Sequence, residues 1–170
     1  MAELFELTET AQILQQMAEE VKRVYKEKLQ ESDRVASGDL MRSVETEVRI
    51  NNTTYSVVMD LRDYWEYVEN DTKPHWPPQS AIDKWIFVKP VVPRPHNNRV
   101  PSPESLSFLI RRRIAGKAPD GNGGFKPGGT KGTHDLEHTK EEVIPHYLER
   151  LKEALGHDAI NYIRKVMAEK

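Results

Sequence analysis

The stretch YWEYVENDTKPHWPPQSAIDKWIFVK, residues 64–89, holds all three tryptophans of the chain, Trp65, Trp76 and Trp85. At its centre stands Pro74-His75-Trp76-Pro77-Pro78. Proline fixes φ and drives the residue before it into extended or polyproline geometry, so this run is a stiff elbow between two elements. The first element ends near Glu69 and the second begins near Gln79. Upstream, Tyr64, Trp65 and Tyr67 crowd a short helix or strand end. Downstream, Ala81, Ile82, Trp85 and Ile86 share one face of an amphipathic helix. Trp85 is expected to be largely buried and to anchor that helix.

Outward toward the N-terminus, residues 8–31 read as a long helix. Leu7, Leu14, Met17, Val21, Val24 and Leu29 trace an apolar stripe among Glu and Lys, and Thr8 is an acceptable N-cap. The stripe packs on a sheet or, in a competing reading, on a helix of another subunit. A polar run containing Gly38 ends the helix. Next, Val44, Thr46, Val48 and Ile50 alternate with Glu45, Glu47 and Arg49, the period of a half-buried strand. Asn51-Asn52-Thr53-Thr54 is a turn. Tyr55, Val57, Met59 and Leu61 then line a second strand, which makes a hairpin. A lone hairpin is marginal in water, so the first helix is its lid.

Outward toward the C-terminus, Pro90, Pro93, Pro95, Pro101 and Pro103 prevent regular structure and leave an extended arm at about 90–103, made basic by Arg94, His96 and Arg99. It is a solvated linker or a contact arm. Ser102-Pro103-Glu104 is a helix start, and Gly116 ends that helix. Arg111-Arg112-Arg113 spread over roughly 200° of it, so they form no single phosphate grip and read as a solvated face. Residues 117–132 carry six glycines and two prolines and read as a flexible loop or hairpin tip. Without apolar anchors, this loop and the proline arm are expected to be mobile in an isolated subunit. From about Asp135 to Ala168 the pattern is helical again. Val143, Tyr147, Leu151 and Leu155 give one stripe, continued by Ile160, Ile163, Val166 and Met167. Pro145 and Gly156 leave open one long helix or two shorter ones.

Length and composition fit one domain, residues 1–170, with a core. A net charge of −2 gives no global reason to bind nucleic acid or an acidic membrane. The absence of cysteine excludes disulfides, thiolate catalysis and cysteine-based zinc sites. No apolar run approaches the roughly 20 residues that span a bilayer, and no secretory signal is expected. One enzyme pattern is present. His134-Asp135-Leu136-Glu137-His138 matches the H-x-x-E-H of inverted zinc peptidases, in which two histidines bind zinc and the Glu is general base. A zinc-dependent hydrolase is therefore the alternative reading, with Glu141, Glu142 or His146 as third ligand. Two exposed histidines on an acidic helix is the plainer one. His75, between prolines, suits a structural hydrogen bond. Trp76 and the tyrosines could stack bases, but Asp60, Asp63, Glu66, Glu69 and Asp71 surround them in the sequence.

Tyr67-Val68-Glu69-Asn70-Asp71-Thr72-Lys73-Pro74-His75-Trp76-Pro77-Pro78, followed by Ala81-Ile82 and Trp85-Ile86, resembles the central motif of the tail-completion and head–tail joining proteins of tailed bacteriophages. Ser37-Gly38-x-Leu40-x-x-Ser43, Leu106 to Ala115 and Gly129-Thr130-Lys131-Gly132-Thr133 are similar to flanking pieces of that family, in the same order. Asp71 stands where a Gly is usual, and residues 117–128 look like an insertion. The resemblance implies no catalysis and no cofactor, and a virion protein assembled in the bacterial cytoplasm without contact with a membrane. It implies a homo-oligomeric ring, with portal, connector and tail proteins as neighbours and DNA passing through the lumen without sequence-specific binding. Ring closure needs a head-to-tail contact, here of about six or twelve subunits. Arg94 and Arg99 on the arm, with Glu66 and Glu69 on the corner, are the interface candidates. Tyr67, Glu69, Pro74, His75, Trp76, Pro77, Pro78 and Trp85 form the structural motif. The expected fold is α+β: a long N-terminal helix packed on a small antiparallel sheet, with further amphipathic helices and a long C-terminal helix.

Overall fold

The computed structural model describes residues 7–32, 38–51, 54–89, 91, 93 and 100–168. Its elements run α1 (Thr8–Glu31), α2 (Asp39–Ser43), β1 (Glu45–Asn51), β2 (Thr54–Asp60), α3 (Trp65–Glu69), α4 (Gln79–Val88), α5 (Pro103–Ile114) and α6 (Asp135–Ala168). The fold is α+β, as expected. The contacts divide the chain into two compact units, residues 1–33, 41–62 and 135–170 in one and residues 34–40 and 63–134 in the other.

In the first unit α1 packs on α6 and on both strands of the hairpin. The hairpin is antiparallel, with Thr46 opposite Met59, Val48 opposite Val57 and Ile50 opposite Tyr55, so the alternating apolar residues share one face. Val21, Val24 and Val143 form the centre of the core, flanked by Met17, Met59 and Tyr147. Leu14, Ala18, Tyr25 and Leu29 extend the buried face of α1. At the end of the hairpin Ile50 stays exposed.

Two ends of this unit differ from expectation. Thr8 is the first residue of α1, not its N-cap, and Leu7 at the cap position supplies no side-chain bond. The carboxylate of Asp158 on α6 serves instead. It accepts the backbone N–H groups of Glu9 at 3.0 Å and Thr10 at 2.9 Å, and the hydroxyl of Thr10 at 2.8 Å. α6 is one helix through both Pro145 and Gly156. Its buried residues are Asp135, Thr139, Val143, Ala154 and Asp158, whereas Leu155, Ile160, Ile163, Val166 and Met167 are exposed. The apolar stripe read from the sequence therefore leaves the core after Tyr147, because α1 meets α6 on a face that includes small and polar residues. Thr139 is buried at no cost in unmade bonds, since its hydroxyl donates to the Asp135 carbonyl at 2.7 Å.

In the second unit α4 packs on α5. Ser102 caps α5 by accepting the Ser105 N–H, with Pro103 at the first helical position as predicted. Gly116, at φ 69°, closes the helix. Its N–H donates to the Arg113 carbonyl and that of Lys117 to the Arg112 carbonyl, the paired bonds of a Schellman end. Trp85 corrects the sequence reading: it is 38% exposed, and α4 has no buried residue. Packing of α4 on α5 leaves the indole partly in solvent.

Candidate functional site

The proline elbow is held from two sides within the second unit. From one side comes α5. Arg111 Nε donates to the Pro77 carbonyl at 2.9 Å and its other nitrogen to Gln79 Oε1 at 3.2 Å. The same guanidinium lies 5.5 Å from the centre of the Trp76 ring, the Lys117 ammonium 5.9 Å from it, and the Phe108 ring 6.2 Å away. Trp76 thus sits among cations in space, although carboxylates surround it in the sequence. Arg112 Nε donates to the Lys117 carbonyl at 2.8 Å, and Arg113 donates to the Pro127 carbonyl. The three arginines do fan out as the helical geometry requires. They are not a solvated face: each holds a different piece of backbone.

From the other side comes the glycine-rich segment. The Thr72 N–H donates to the Thr130 carbonyl at 2.8 Å, the Thr130 N–H to the Thr72 hydroxyl at 2.9 Å, and the two threonine hydroxyls bond at 2.8 Å. The N–H groups of Thr133 and His134 reach the carbonyls of Val68 and Glu69, and that of Gly129 reaches Ile114. This lattice of backbone contacts needs glycine. A Cβ on Gly128 would lie 2.5 Å from the Gly116 amide nitrogen, and one on Gly129 or Gly132 would collide with the carbonyl of Thr72 or Glu69. Asp71, where the resembled family carries Gly, accepts the Gly132 N–H at 2.8 Å, so the departure ties the segment down. The outer part of the loop is a small hairpin tip, bridged between Pro119 and Phe125. There the N–H groups of Asn122 and Gly124 bind the Asp120 carboxylate and hold its pKa below the usual carboxylate range.

Of the remaining motif residues, His75 Nδ1 donates to the Lys73 carbonyl at 2.9 Å, the structural role expected of it. Pro77 is buried, while Pro74 and Pro78 are exposed. Tyr67 is 71% exposed and lines a shallow depression with Glu66, Asp71, Lys73 and His75. Glu66 presents its carboxylate on this surface, but Glu69 is buried. Gly132 crosses directly over the Glu69 backbone and packs it inside the unit, so Glu69 is not a surface candidate. Arg94 and Arg99 lie outside the described residues. Sequence reasoning missed Arg111, Lys117 and Thr130 as partners of the elbow, and only Gly-Gly-Thr-Lys-Gly carried a signal of close approach.

The zinc pattern is not carried whole on a helix: Asp135 to His138 lie on α6 and His134 does not. His134 precedes α6 with φ 55°, a left-handed conformation, and its Nε2 lies 3.8 Å from Asp71 Oδ1. His138 is exposed and faces Glu141 at 3.6 Å. Among the described residues no group of three or more His, Asp or Glu is placed to hold a metal ion. Among them, too, no helix is long and apolar enough to cross a membrane. Comparison of the chain with protein-family models, with curated proteins and with solved structures returned no match.

Proposed function

We propose that the chain is a structural virion protein of a tailed bacteriophage or prophage, forming a ring at the head–tail junction or the tail end. The reading starts from the resemblance of its motifs, and one observation supports it. Stretches that carry the resemblance, distant in the sequence, bond to one another. Arg111 reaches Pro77 and Gln79, Thr130 reaches Thr72, and Gly129 reaches Ile114. These segments that carry the resemblance thus belong to one structural unit. The unit they build exposes Tyr67, Trp76, Trp85, Phe87 and Phe108, a surface suited to neighbours in an assembly. The ring contact is head-to-tail, the arm with Arg94 and Arg99 on one subunit meeting the corner with Glu66 on the next. DNA passes through without being held, which a net charge of −2 favours over a basic chain.

Reversing the charge at Arg94 and Arg99 tests this contact. Each exposed ion pair contributes at most about 1 kcal/mol, so the isolated variant should fold and melt as the parent does. It should, however, be missing from purified particles. Incorporation at the parent level would remove the arm from the interface. Images of the assembled protein without a central opening would remove the ring itself.

A further inference from the structure

The net charge of −2 hides a division. Residues 73–131 carry eleven Lys and Arg against three Asp and Glu, and the rest of the chain carries fourteen against twenty-four. In the first unit Lys22, Arg23, Lys28, Arg49 and Lys152 each meet a carboxylate. The cations around the end of α5 do not. Arg111, Arg112 and Arg113 bond backbone carbonyls and Gln79, and the Lys117 ammonium lies over the Trp76 ring. Among the described residues none of these four has a carboxylate within ion-pair distance. Beside two of them stand exposed rings: Trp76 is 43% and Phe108 50% exposed, their centres 6.2 Å apart. Cations without counter-ions next to exposed rings suit a partner that brings both carboxylates and apolar side chains.

We propose that Trp76, Phe108, Arg111 and Lys117 form a docking site for an acidic segment of another protein, one in which apolar side chains stand among the carboxylates. The exposed Lys117 ammonium is engaged by the indole alone, so a carboxylate can reach it without breaking a hydrogen bond. Arg111 keeps one amino group beyond those that hold Pro77 and Gln79, and the bonds to the elbow set its position before any partner arrives. Trp and Arg are the side chains that most often dominate a protein contact, and arginine clusters are a recurrent means of recognising acidic motifs. A strand of nucleic acid fits this site less well. It needs cations in a row along one track and ring faces left open for bases. Arg111, Arg112 and Arg113 fan around α5 and are each tied to a different stretch of backbone, and the Trp76 ring already has two cations over it. The site uses neither Arg94 nor Arg99, so it stands without the proposed ring contact.

A fluorescent peptide of repeated Glu-Glu-Leu, titrated with the intact chain, should bind saturably, and a peptide of repeated Gln-Gln-Leu should not. Lys117→Glu should weaken the binding at least about tenfold, and Lys117→Gln, which keeps the stem, in the same direction by less. Lys140→Glu makes the same charge change at an exposed position of α6 and should alter the affinity less than about twofold. Phe108→Ser removes an exposed ring and should weaken binding severalfold, with the helical circular dichroism of the parent. Equal losses for Lys117→Glu and Lys140→Glu would mark general charge attraction and overturn the site. An unchanged affinity in Phe108→Ser would overturn its apolar half. Single-stranded oligothymidylate bound more tightly than the acidic peptide would overturn the proposal in favour of a nucleic-acid surface. Absence of saturable peptide binding would overturn it outright.

Discussion

Asp158 shows how far a helix start can lie from the group that completes it. The first turn of any helix leaves N–H groups without an intrahelical acceptor. In α1 those of Glu9 and Thr10 are met by a carboxylate about 150 residues later. Replacing Asp158 with Ala removes both acceptors and should lower stability by about 1–2 kcal/mol, the size of a lost N-cap, read as a shift in the urea midpoint. The effect has a defined pH dependence. Burial pushes the Asp158 carboxyl up, but the N–H groups of Thr10 and Glu9 and the hydroxyls of Thr10 and Thr8 outweigh it, and its pKa lies below the ordinary value. A depressed folded-state pKa means stability that is present above the unfolded-state value, near about 3.9, and lost as pH falls through the folded value. The difference between parent and Asp158→Ala should therefore hold steady from about pH 7 to 5 and shrink below about pH 4. A difference that grew on acidification would reject the carboxylate as the cap.

At the scale of elements, two glycines argue in opposite directions. Gly156 lies inside α6 and a Cβ there would meet nothing within 4 Å. Nothing offsets its poor helix propensity, so Gly156→Ala should raise stability by about 1 kcal/mol. Gly132 lies against the backbone of Glu69 and Asn70. There Ala has to push the segment off α3, breaking the bonds from Thr133 and His134, and should destabilise by more than about 1 kcal/mol. Thermal melts of the two variants should move in opposite directions; a parallel shift would mean that the close crossing at Gly132 is not tight. Trp85 belongs to this scale as well. The i, i+3, i+4 pattern correctly put it on the apolar face of α4, but a face is buried only as far as a neighbouring element covers it.

For the molecule as a whole, the buried apolar side chains are concentrated in the first unit. Leu14, Val21, Val24, Tyr25, Leu29, Val44 and Val143 are all there. The second unit buries Leu40, Pro77, Glu69 and Ser107 and is held largely by backbone hydrogen bonds around the elbow. Apolar burial sets the cost of opening a region. Native-state amide exchange should accordingly be slowest in the middle of α1 and in α6 near Val143, and distinctly faster in α4 and α5. The glycine-rich segment should split, with residues 120–124 exchanging fast and the N–H groups of Gly129, Thr130 and Thr133 protected by their bonds. Equal protection of α1 and α4 would contradict this division, and fast exchange at Thr130 would restore the expectation of a loop mobile throughout.

The amino-acid order by itself determined α1, α4 and α5, the helical character of residues 135–168, the hairpin, the elbow, and the ends of α5. Each of these follows from a local cause: hydrophobic period, proline's fixed φ, a serine cap, a glycine able to take positive φ. Only the tertiary structure decided that Trp85 stays half in solvent, that Glu69 goes inside, that Arg111 and Lys117 rather than carboxylates face Trp76, and that Asp158 begins α1. Those outcomes depend on which distant segment arrives and how closely its backbone approaches. Periodicity constrains the face a side chain occupies, whereas burial and bonding depend on what packs against that face.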